Sequence, residues 1–139
     1  MTFMLFVSIS SAIAASITYS PTHADGEVIP ITANQLKPSH CSALNLTNII
    51  SDSGNIQGSN QADLILGSPS ADKINAKKGN DCIVSGNGDD EIRGGMDDDV
   101  LVSGPGDDEL KGENGTDVCY GEAGLDTSDG TCETVYGIP

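Results

Sequence analysis

The chain has 139 residues, enough for one domain, with 21 Asp and Glu against 6 Lys and Arg and a formal net charge of −15. It holds 17 Gly, no Trp, 2 Phe and 3 Tyr, so there is little apolar bulk for a wide core. This balance argues against a nucleic-acid binder, which needs a basic footprint for phosphates. It suits hard cations, which take oxygen ligands.

In chain order the first element is an export segment over residues 1–24. No charged side chain occurs from Thr2 to Pro21, and small and apolar residues dominate from Phe3 to Ile17. Two small-x-small cleavage motifs follow, Ala12-Ile13-Ala14 and Thr22-His23-Ala24 ahead of Asp25. The n-region lacks Lys and Arg, and an uncleaved membrane anchor is the rival reading, but the run is short and Ser-rich for a span. The expectation is a secreted, extracellular mature chain with no membrane span, facing an oxidising, calcium-rich exterior. Four Cys in such a chain predict two disulfides, with three possible pairings, and no pair has the CxxC spacing of a zinc or redox site. His23 and His40 are isolated in loop-like sequence and read as solvated residues.

Residues 25–57 form the second segment, apolar at Val28, Ile29, Ile31, Leu36, Leu44, Leu46, Ile49 and Ile50. Beyond it, from Gly58 to Asp129, the chain repeats every nine residues without insertion: GSNQADLIL, GSPSADKIN, AKKGNDCIV, SGNGDDEIR, GGMDDDVLV, SGPGDDELK, GENGTDVCY, GEAGLDTSD. The sixth position is always Asp: Asp63, Asp72, Asp81, Asp90, Asp99, Asp108, Asp117 and Asp126. The eighth is Ile65, Ile74, Ile83, Ile92, Leu101 and Leu110, then Cys119 and Ser128. The first is Gly, Ala or Ser, and the fourth is Gly at Gly79, Gly88, Gly106, Gly115 and Gly124.

Glycine permits the positive φ of tight turns. Six residues of turn and three of extended chain make a half-coil. In the extended part the eighth residue points inward and the seventh and ninth outward. Alternate blocks then build two parallel sheets, and the sixth-position Asp residues line up along each edge. Asp63, Asp81, Asp99 and Asp117 form one column, and Asp72, Asp90, Asp108 and Asp126 the other. At a strand spacing of about 4.8 Å such carboxylates repel unless a cation lies between them.

These blocks resemble the RTX, or hemolysin-type, nonapeptide calcium-binding repeat, whose pattern is GGxGxDxUx. The resemblance implies a β-roll that binds calcium between turns 18 residues apart, through both sixth-position carboxylates and turn carbonyls. Asp90 and Asp108 are then the best pair. Asp81 with Asp99, Asp99 with Asp117, and Asp108 with Asp126 come next. In the first two blocks Gln61 and Ser70 replace the fourth Gly, which weakens the case for Asp63 and Asp72. Asp97 also stands where Gly is expected.

The outward positions of odd blocks are Leu64, Leu66, Cys82, Val84, Val100, Val102, Val118 and Tyr120. Those of even blocks are Lys73, Asn75, Glu91, Arg93, Glu109, Lys111, Thr127 and Asp129. An apolar outer face needs a cover, and residues 27–57 can supply it, pairing Cys41 with Cys82. A surface for a partner or for self-association is the rival. Ile56 falls in phase as the eighth position of a degenerate capping block, Ile49 to Gln57. At the other end, a Cys119–Cys132 bond would hold residues 130–139 as a cap.

The reading is thus an all-β parallel β-roll of nine-residue half-coils at 58–129, with an N-terminal cover and a C-terminal cap, binding calcium ions and folding on them. No HExxH or GxSxG motif is present, and too little chain precedes residue 58 for a catalytic domain, so no enzyme is expected. Alternatives are a cell-surface adhesive or structural protein using the apolar face, or a non-catalytic accessory of a secreted hydrolase. No protein partner is identifiable.

Overall fold

A nine-residue half-coil brings every second block into register, and the backbone does this throughout the repeat. The computed structural model describes residues 30–138. The expected export segment, and Val28 and Ile29 of the expected cover, lie outside the described residues. The strands are β1 (Asn48–Ser51), β2 (Asn55–Gln57), β3 (Asp63–Leu66), β4 (Lys73–Lys78), β5 (Cys82–Val84), β6 (Glu91–Met96), β7 (Val100–Val102), β8 (Glu109–Asn114), β9 (Val118–Tyr120), β10 (Thr127–Ser128) and β11 (Thr134–Tyr136). The odd-numbered strands form a six-stranded sheet, β1-β3-β5-β7-β9-β11, and the even-numbered a five-stranded one, β10-β8-β6-β4-β2. Every pairing is parallel. The protein is therefore a β-roll.

The core is one inward residue wide on each side. Ile65, Ile83, Leu101 and Cys119 stack in register in one sheet, and Ile56, Ile74, Ile92 and Leu110 in the other. All eight are essentially solvent-free. Burying such a side chain is worth about 1.5–3 kcal/mol, so this narrow core cannot carry the roll alone.

Three of the five even strands are longer than expected. β4, β6 and β8 run six residues, because the ladder continues past the first position of the next block. Lys77, Gly95 and Glu113 stay paired there although each has positive φ. At the first position Ala76 is fully buried in the core. Only a small side chain fits between the two sheets at that bend.

The apolar outer face is covered by a short segment. Thr32 donates its amide to Gln35 Oε1 at 2.8 Å to start helix α1 (Ala33–Leu36), and a 3-10 turn spans Ser39–Cys41. Asn34 exchanges two 2.9 Å hydrogen bonds with the Leu46 backbone and closes the segment on itself. Ala33, Cys41 and Leu46 pack on Leu64, Cys82, Val100 and Val102, flanked by Leu36 and Leu44. The Cys41–Cys82 disulfide, with Cα atoms 5.9 Å apart, pins the two layers. The opposite outer face is polar, with a Lys73–Glu91 bridge at 2.6 Å and a Lys111–Glu109 bridge at 2.8 Å.

Two details differ from the sequence expectation. The cover ends near Leu46, and residues 48–57 form a further coil, with β1 on β3 and β2 on β4. Ile56 meets Ile74 as anticipated, whereas Ile31 (41 % exposed) and Ile49 (40 % exposed) do not act as cover. The C-terminal tail likewise adds a strand instead of only closing the end. β11 pairs with β9, and the Cys119–Cys132 disulfide, Cα atoms 6.0 Å apart, lies in the core beside it.

Removing residues 30–46 while keeping β1 and β2, with Cys82→Ser to avoid a free thiol, should expose Leu64, Val100 and Val102. An environment-sensitive apolar dye should then bind even at saturating calcium, and the roll should self-associate in sedimentation. A monomeric, dye-free truncation would contradict the covering role. In the full chain, Leu46→Ala should cost about 2–5 kcal/mol of stability.

Candidate metal centre

The two edges of the roll are built from the turns that precede the strands. In each turn the Asp comes just before the outward, inward, outward triplet, and strand pairing stacks it on the Asp one coil away. All eight are buried, none more than 4 % exposed. In six of them one carboxylate oxygen accepts the backbone amide of the Asp one coil earlier. The amide of Asp63 donates to Asp81 Oδ1 at 2.7 Å, Asp81 to Asp99 at 2.8 Å, and Asp99 to Asp117 at 2.9 Å. On the other edge Asp72 donates to Asp90 at 2.7 Å, Asp90 to Asp108 at 2.8 Å, and Asp108 to Asp126 at 3.1 Å. The structure thus brings all eight sequence-predicted residues into two continuous columns.

The second oxygens divide the columns. Oδ2 of Asp81, Asp90, Asp99, Asp108, Asp117 and Asp126 is buried with no hydrogen-bond partner among the described residues. In the first two turns it has one. Asp63 Oδ2 accepts from the Ser59 amide at 2.7 Å, and Asp72 Oδ2 from the Ser68 amide at 2.6 Å. The Ser59 and Ser68 hydroxyls also donate to the Oδ1 atoms, at 3.0 and 3.2 Å. The difference lies at the second position of the block. In five later turns it has positive φ (Lys77, Gly86, Gly95, Gly104 and Glu113), whereas Ser59 and Ser68 do not; Glu122, before Asp126, does not either, so the sign of φ alone does not free the oxygen. Sequence reasoning ranked these two turns lower because the fourth Gly is missing, and overlooked the serines. The repeated G-S-x-x-A-D of the first two blocks was the available signal.

Leaving a buried carboxylate oxygen unpartnered is costly, and six in two files are costlier still. Burial pushes the Asp81 and Asp99 carboxyls up to about 8, with neighbouring carboxylates adding to the rise. Burial likewise raises Asp90 to about 6, and raises Asp108 and Asp117 above the ordinary range. Oxygen-rich, electronegative and enclosed, these turns fit a hard divalent cation. Among the described residues no three His, Cys, Asp or Glu side chains converge, so turn carbonyls or water would supply the rest of the six to eight oxygens that calcium takes. Such carbonyls lie close by. A Cβ at Gly106 would stand 2.0 Å from the Gly88 oxygen, and one at Gly124 would stand 1.8 Å from the Gly106 oxygen. The fourth position is Gly because a carbonyl from the adjacent coil occupies that space.

Both columns extend past the repeat. Asn48 lies opposite Asp63 and donates Nδ2 to its Oδ1 at 3.0 Å, so a neutral amide begins the odd column. Glu133 accepts from the Asp117 amide at 2.6 Å and ends it. Neither was anticipated, because their separations from the repeat are 15 and 16 residues instead of 18.

Compared with known protein families, the chain matches the RTX calcium-binding nonapeptide repeat (4 copies) over residues 57–92, 78–110 and 93–127. No curated protein and no solved structure matches.

The raised carboxyl pKa values set the sign of the pH response without metal. A carboxyl whose pKa rises from 3.8 to about 8 on folding stabilises the fold fully only below 3.8, and that contribution is lost as pH rises through 8. In chelator the roll should therefore show more sheet signal by circular dichroism near pH 5 than near pH 8. With calcium the order should reverse, because the ion displaces the protons. Sheet signal in chelator that grows with pH would contradict this.

Proposed function

The chain belongs to the RTX calcium-binding nonapeptide repeat family, a family of calcium-binding β-rolls, and from that premise we propose that this protein folds on binding calcium outside the cell. The observation that carries the reading is the set of six buried, unpartnered carboxylate oxygens in two columns. Asp81, Asp90, Asp99, Asp108, Asp117 and Asp126 hold the ions, each shared with the coil above or below. Asp63 and Asp72 continue the columns but contribute least, since Ser59 and Ser68 already occupy their second oxygens. Calcium supplies the positive charge that lets stacked carboxylates stay ionised in a dry turn. The chain supplies the oxygens, their spacing, and the glycines that let neighbouring coils approach.

Two features support the extracellular setting. Two disulfides persist where the surroundings are oxidising. Sites built mostly from turn carbonyls and shared carboxylates suit the roughly 10⁻⁴–10⁻³ M affinities of extracellular modules. Among the described residues no helix is long and apolar enough to cross a membrane. The role that follows is structural and binding, not catalytic, with the roll as a rigid element set by calcium.

The division between turns predicts unequal dependence on the ion. In excess chelator, sheet built from residues 76–128 should be lost, and calcium should restore it cooperatively. The coils at 48–75, bonded through Ser59, Ser68 and Cys41–Cys82, should keep more of their amide protection in hydrogen exchange. Asp108→Ala should remove more bound calcium in calorimetry than Asp63→Ala. A circular dichroism spectrum unchanged by chelator, or equal losses from the two variants, would contradict the proposal. Magnesium should substitute poorly, because it demands a tighter octahedral shell.

A further inference from the structure

One carboxylate outside the matched repeat stands in line with the odd column. β11 pairs with β9 so that Thr134 lies opposite Val118, which sets Glu133 against Asp117 as Asp117 is set against Asp99. The Asp117 amide donates to Glu133 Oε2 at 2.6 Å, just as the Asp99 amide donates to Asp117 Oδ1 at 2.9 Å. The separation is 16 residues, not 18, and Glu133 lies beyond the 57–127 span of the family match. The longer Glu side chain makes up for a shorter turn. Cys132, directly before it, is held in the core by its bond to Cys119.

A second observation points to a ligand. Asp117 is fully buried, and its Oδ2 has no partner among the described residues. Among those residues the basic groups in ion pairs, Lys73, Arg93 and Lys111, are paired with Glu91 and Glu109, and none reaches Asp117 or Glu133. We propose that Asp117 and Glu133 hold a further calcium ion at the C-terminal end of the odd column, and that the Cys119–Cys132 disulfide positions Glu133 for it. This rests on the calcium reading above. It extends that reading to a residue the repeat does not contain and links one ion to the oxidation state of the tail.

The tyrosines provide a local reporter. Tyr120 and Tyr136 follow Asp117 and Glu133 by three residues each, within about 11 Å along extended chain. Their rings stack at 4.9 Å. In a Tyr19→Phe parent these are the remaining tyrosines, and terbium bound at the calcium sites should emit on tyrosine excitation. Glu133→Gln keeps an acceptor for the Asp117 amide but removes the charge. It should lose one ion from the calorimetric calcium count and much of the sensitised emission, and reducing Cys119–Cys132 in the parent should also lower the emission. Asp90→Asn, on the other edge, should lose calcium and keep the emission. If Asp90→Asn loses calcium while Glu133→Gln keeps both count and emission, the terminal site is overturned and the calcium reading stands. If neither variant loses calcium, the calcium reading itself falls. If Glu133→Gln does not fold at saturating calcium, Glu133→Asp should fold and weaken the last binding step about tenfold, and an unchanged last step would overturn the site.

Discussion

The structure depends on one awkward arrangement, a buried carboxylate that bonds to the next coil through one oxygen and has no partner among the described residues for the other. The first oxygen ties coil to coil. From the third turn on, each Asp accepts the amide of the Asp one coil earlier, so the columns are both electrostatic files and part of the hydrogen-bond ladder. The second oxygen makes the ladder conditional. Without a cation, the same burial that sets the spacing penalises the charge, as the raised Asp81 and Asp99 carboxyls record. A hydrophobic core one residue wide cannot offset that penalty over the whole repeat.

The two ends of the roll differ in chemistry. At the N-terminal end serine hydroxyls and amides take the place of the ion, Asn48 begins the column without charge, and a disulfide clamps the cover to Cys82. At the C-terminal end the tail turns back through Cys132 and adds β11. Tyr136 stacks on Tyr120, whose ring meets His40 of the cover at 4.5 Å, so the covered face runs on to the last strand. Both ends are held by disulfides, and the unpartnered carboxylate oxygens begin only after the first two turns and run on to Asp117 and Asp126.

Most of this architecture was legible in the chain because a repeat without insertions turns sequence position into spatial position. The period places Ile83 over Ile65 and Asp99 over Asp81, and the odd–even split of outward residues implies a cover that carries Cys41. Legibility fails where the period fails. β1 joins 15 residues from its partner and β11 joins 16, so Asn48 and Glu133 carried no phase signal, and of residues 48–57 the phase reached Ile56 but not the pairing of β1 with β3. Ser59 and Ser68 were in phase but looked like ordinary turn residues. Their effect depends on the amides and hydroxyls of Ser59 and Ser68 facing the carboxylate, and composition does not reveal that.

The proposal that calcium satisfies the unpartnered oxygens is tested most directly by anomalous diffraction from crystals grown in calcium. It predicts two files of calcium density, beside Oδ2 of Asp81, Asp99 and Asp117 on one edge and of Asp90, Asp108 and Asp126 on the other, with none beside Oδ2 of Asp63 or Asp72. Density absent from the six, or equally strong at Asp63 and Asp72, would contradict it.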